Sequence, residues 1–107
     1  MTLITNEIKE KIEQLVISKK QARRLAYTVQ ETEKYIERNE RGLAGAKEAL
    51  EELEKHDNKF PIGIGLMSGQ IEEFSNALKH NKFERDRAFQ YLTNILNKGE
   101  NFVHKAE

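Results

Sequence analysis

Four basic residues fall within six positions, Lys19, Lys20, Arg23 and Arg24, and an aromatic ring, Tyr27, follows one helical turn later. On a helix, Ile17, Lys20, Arg24 and Tyr27 line one outward stripe. Guanidinium groups beside a ring suit a phosphate and a stacked base. Lys19, Lys20, Arg23, Arg24 and Tyr27 are therefore a candidate anion-binding set for a small ligand such as a nucleotide. Nucleic acid is a weaker alternative. Lys+Arg and Asp+Glu both number 18, so the formal net charge is zero. Four cations on a neutral chain give only weak, salt-sensitive retention of a polyanion.

Other residues with chemical potential lack the context they need. Gly63, Gly65 and Gly69 are spaced much as in glycine-rich phosphate loops. No Lys-Ser/Thr pair follows the last glycine, and no strand–helix–strand unit surrounds them. His56, His80 and His104 each have a carboxylate four residues away, at Glu52, Glu84 and Glu100. These are local helix pairs. Neither a His-Glu-x-x-His motif nor a pair of Glu-x-x-His motifs occurs, so no metal and no cofactor is expected. Ser18, Ser68 and Ser75 have no recognisable base or oxyanion donor beside them. No catalytic residue is assigned, and the chain is not expected to be an enzyme. Cysteine is absent, which removes disulfides and thiolate chemistry and fits a cytoplasmic protein. The first residues lack the basic start and apolar block of a signal peptide. No stretch reaches the ~20 apolar residues of a membrane span.

The elements that carry these residues are written in a repeat of seven. Ile8, Leu15, Ala22, Val29, Ile36, Leu43 and Leu50 share one register, and Ile4, Leu25, Ala46 and Leu53 fill the partner position. Such a repeat describes a long amphipathic helix packed in coiled-coil fashion. The spacing predicts helix 1 over about 5–56, starting near Thr5 or Asn6 with Asn6 as the cap, and continuing through Gly42 and Gly45. Asp57, Asn58 and Pro61 signal a stop. Ile62, Ile64 and Leu66 alternate with glycine, so 57–68 is expected to be an extended apolar loop. Helix 2 is predicted over about 69–104, with a stripe of Ile71, Phe74, Leu78, Arg85, Phe89, Leu92, Leu96 and Val103. The expected fold is all-α, a single domain: a long antiparallel helical hairpin, coiled-coil-like, assembling into a helical-bundle oligomer.

Folding helix 2 back across the loop sets Leu50 near Phe74, Asn39 near Arg85, Ile36 near Phe89 and Ala22 near Phe102. Helix 1 would span ~75–80 Å against ~55 Å for helix 2. Ile4, Ile8, Ile12, Leu15, Val16 and Ile17 are then left as an apolar overhang. They are the expected homo-oligomer interface. The competing arrangement bends helix 1 at Ser18-Lys19-Lys20 and folds it back as a third helix of a monomer. The loop residues Phe60, Ile62, Ile64, Leu66 and Met67 are the candidate contact with another protein. Tyr27, Tyr35, Phe83 and Tyr91 are expected to project away from the seam. Together these features point to a non-enzymatic protein-interaction module, such as an adaptor, inhibitor or chaperone-like accessory protein.

Overall fold

The structure is a computed structural model. It describes the backbone over residues 2–56 and 61–106, and side chains over 2–56 and 61–98. Three helices follow in chain order: α1 (Asn6–Glu13), α2 (Lys19–Glu54) and α3 (Pro61–Ala106). No strand occurs among the described residues. Helices α2 and α3 pack against each other as a hairpin, which is the expected all-α architecture.

Helix α1 starts at Asn6, and its cap is Thr5 rather than the expected Asn6. The Thr5 hydroxyl accepts a hydrogen bond from the Ile8 N–H at 3.3 Å, satisfying one of the free amides of the first turn. The helix stops at Glu13, although a continuous helix 1 over about 5–56 was expected. Residues 14–18 are non-helical, and Ser18 adopts φ 67. Neither glycine nor proline stands there, so the cause is tertiary. The turn folds α1 back onto α2 and α3 and buries Ile4 and Ile12 against Ala22, Ala26, Val29, Leu92 and Leu96. Burying two isoleucines stabilises by roughly 1.5–3 kcal/mol each. A left-handed serine costs about 1–2 kcal/mol. Burial wins, and the folded-back alternative is the one adopted.

Helix α2 continues through Gly42 and Gly45, as the repeat predicts. Helix α3 begins at Pro61, eight residues before the predicted start at 69. Pro61 suits the first helical position, where its missing N–H is no loss. The expected extended loop is thus corrected over 61–68. Ile62, Ile64 and Leu66 do alternate, but Ile64, Met67, Ile71, Phe74 and Leu78 also follow three-and-four spacing in phase with the rest of α3. That longer period prevails because it places one apolar face on α2. Asp57, Asn58 and Phe60 lie outside the described residues.

The earlier start changes the register. The Phe74 ring lies against Gly42, where an added Cβ would come within 2.6 Å of ring carbons, rather than against Leu50. The Arg85 guanidinium pairs with the adjacent Asp86 at 3.0 Å.

The chain divides into two compact units. Unit 1 comprises residues 1–33 and 82–107, and unit 2 comprises residues 34–81. In unit 1, Ala22, Val29 and Leu92 are completely buried, with Leu3, Ile8, Leu15, Leu25, Phe89 and Ile95 packed partly against them. Alanines at 22, 26 and 88 let the helices approach closely. Thr32 is buried and needs no tertiary partner, because its hydroxyl donates to the backbone oxygens of Thr28 and Val29, both at 2.9 Å. In unit 2, Ile36, Ala46 and Leu78 are buried. Leu43, Leu50, Leu53, Ile64, Met67, Ile71 and Phe74 are only half-buried.

Candidate functional site

The first turns of α3 carry an exposed apolar face. Ile62 and Leu66 are one helical turn apart and retain 80% and 62% of their surface in water. Ile64 and Met67 turn toward the seam and are half-buried. Of the five predicted contact residues, two are therefore exposed, two are half-buried, and Phe60 lies outside the described residues. No Asp, Glu, Lys or Arg occurs from Pro61 to Ile71. A Cβ added at Gly65 or Gly69 would meet nothing within 4 Å, so this side of the helix is open. Such a surface offers apolar area without charge, suited to another apolar helix or strand.

The basic cluster is less available than its sequence suggests. Arg23 donates to both oxygens of Glu13 at 2.8 Å, a bidentate pair that ties the end of α1 to the start of α2. These hydrogen bonds hold the Glu13 carboxyl below the usual carboxylate range. The charges of Arg23 and Lys19 act in the same direction. Lys19 is half-buried. Lys20, Arg23, Arg24 and Tyr27 are exposed, but Arg23 is engaged by Glu13, which leaves Lys20, Arg24 and Tyr27 as the exposed members outside that pair. Folding α1 back thus brings a carboxylate into the cluster, which sequence spacing does not reveal because Glu13 and Arg23 face each other only across the turn.

The predicted overhang is mostly covered within the chain. Ile4 and Ile12 are buried, while Ile8 and Leu15 are half-buried against the same core. The Leu3 N–H donates to Glu33 Oε1 at 3.1 Å, which fixes the segment before α1 on α2. Only Val16 and Ile17, within the turn, stay exposed, Val16 at 86%. An oligomer is thus not needed to shield the other four.

Tyr27, Tyr35, Phe83 and Tyr91 all face solvent, as expected. Two of them carry arginines that the sequence reading overlooked. The Arg38 guanidinium lies 5.8 Å from the centre of the Tyr35 ring. That of Arg87 lies 5.7 Å from the Tyr91 ring, and its Nε donates to Tyr91 Oη at 3.3 Å. Spacings of three and four residues on a helix were the available signal.

Among the described residues, no group of three His, Cys, Asp or Glu side chains is placed to hold a metal ion. Glu52, expected beside His56, pairs with Lys55 at 3.2 Å. The His104 side chain lies outside the described residues. No helix among the described residues is long and apolar enough to cross a membrane. Compared with known proteins, the chain matches no protein family, no curated protein and no solved structure.

Proposed function

We propose that this chain is a non-enzymatic protein-interaction module whose contact face is the start of α3, centred on Ile62 and Leu66. One observation carries this reading. Two large aliphatic side chains, one turn apart, are left in water on an uncharged helical segment. The partner this face fits presents an apolar ridge of its own, since nothing from Pro61 to Ile71 would pair with a charge. Adaptor, inhibitor and accessory roles all use such a face, and the absence of cysteine suits the reducing cytoplasm.

The test replaces Ile62 and Leu66 together by serine in the full chain. Both are exposed, so melting should shift little. A partner identified on the wild-type chain by native pull-down should be lost from the double variant and retained by a Phe83→Ser control. Retention by the double variant would sink the assignment of this face. A small anionic ligand at Lys20, Arg24 and Tyr27 is the second reading, supported by the exposure of all three. A nucleotide panel in thermal-shift measurements tests it, with Arg24→Ala as the control.

A further inference from the structure

The turn between α1 and α2 combines three observations. The spacing of seven crosses it without a change of phase, since Ile8 and Leu15 share the register of Ala22, Val29 and Ile36. No glycine or proline occurs before Gly42, so the local sequence encodes no stop. The turn is nevertheless made, by Ser18 in the left-handed region, the one non-glycine residue with positive φ among those described. A side chain with a Cβ disfavours that conformation. Finally, Val16 and Ile17 within the turn are exposed, at 86% and 63%.

Apart from Leu15, which is half-buried against the same core, the contacts that hold α1 come from outside the turn. Ile4 and Ile12 pack on Ala22, Val29 and Leu92. Glu13 pairs with Arg23. The same groups on a second copy could make the same contacts.

We propose that α1 is an exchangeable arm: in a dimer, Asn6–Glu13 of each copy occupies the α1 site of the other, and residues 14–18 join α1 and α2 into one continuous helix. The occupant is a second copy because only this chain is shown to carry the complementary arm. Exchange preserves the burial of Ile4 and Ile12. It also releases the Ser18 strain and adds the backbone hydrogen bonds that the turn forgoes. The opposing cost is the lost freedom of two chains, so the balance depends on concentration. Reciprocal exchange brings the two straightened junctions together, which gives Val16 and Ile17 the apolar neighbours they lack in the single chain. This inference does not depend on the contact face at Ile62 and Leu66.

Light scattering on the full chain, from micromolar to millimolar concentration, provides the first test. Ser18→Gly tolerates the turn, whereas Ser18→Val penalises it. The dimerisation constant should be at least about tenfold higher for Ser18→Val than for Ser18→Gly. A second test survives even if Ser18→Val fails to fold. Chains carrying Glu13→Arg and Arg23→Glu each place like charges together as monomers. Mixed after brief denaturation and refolding, they restore one attractive pair at both arm sites only in an exchanged heterodimer. Native mass spectrometry should then show mixed dimer enriched roughly fivefold over the statistical mixture. Either of two results overturns the proposal: chains that stay monomeric at millimolar concentration, or dimers that mix at random. Equal dimerisation of folded Ser18→Gly and Ser18→Val would overturn it as well.

Discussion

The two units draw on the same pair of helices and differ by one element. In unit 1, α2 and α3 are joined by α1, and Ala22, Val29 and Leu92 lose all contact with water. In unit 2, α2 and α3 have only each other among the described residues, and most of the seam stays half-buried. Two helices shield the line between them but leave its flanks open. A third helix closes one flank and turns a seam into a core. Eight residues of α1 do this for unit 1. Among the described residues unit 2 has no such element, and it is there that Ile62 and Leu66 remain exposed. The contrast locates the fully buried core in unit 1 and a half-buried seam in unit 2.

The contrast can be broken most directly by truncating matched side chains. Leu92→Ala and Ile12→Ala in unit 1 should each destabilise by about 2–5 kcal/mol, read from urea unfolding. Leu50→Ala and Ile71→Ala in unit 2 should cost ~1 kcal/mol, because these side chains are already half in water. Equal losses in the two sets would show that the third helix adds nothing.

Two glycines of unit 2 sharpen it at a smaller scale. Gly42→Ala should destabilise by up to about 2 kcal/mol, since the new Cβ would drive the Phe74 ring from its place at a cost of roughly 1–3 kcal/mol, offset by about 1 kcal/mol of helix propensity. Gly45→Ala meets nothing within 4 Å and should stabilise by about 1 kcal/mol through helix propensity. The two should therefore move the melting temperature in opposite directions. Movement in the same direction would place Phe74 elsewhere, as in the register that pairs it with Leu50.

The smallest effect concerns the tie that holds α1. The Glu13 carboxyl is held low chiefly by hydrogen bonds from Arg23. A depressed carboxylate contributes stability that is present above its unfolded value, about pH 4, and lost as pH falls through the lower folded value. Amide exchange in α1 should accelerate as pH is lowered through that range, beyond the intrinsic change of exchange chemistry. Glu13→Gln should remove this pH dependence. The pair is exposed, so added salt should weaken it too.

Much of the fold was legible in the residue order. The repeat of seven, unbroken by proline before Pro61, specified helices and a hairpin, and the start of α1 was legible to within a residue, although the cap is Thr5 and not Asn6. Periodicity reports which face of a helix is apolar, and that is a local property. The sequence alone therefore determined the helical class, the outward aromatics and the candidate apolar segment. It did not determine where helix 1 stops. Residues 14–18 carry no breaking signal, and only the burial gained by Ile4 and Ile12 on Ala22, Val29 and Leu92 outweighs a strained serine. Nor did it determine the start of α3, where an alternation of isoleucine and glycine competes with helical spacing until α2 supplies a surface to pack on. The Glu13–Arg23 pair follows from the turn and could not be seen before it. These three decisions share one physical reason: each compares a local backbone cost with burial or pairing against residues distant in sequence, and only the tertiary structure brings both sides of that comparison together.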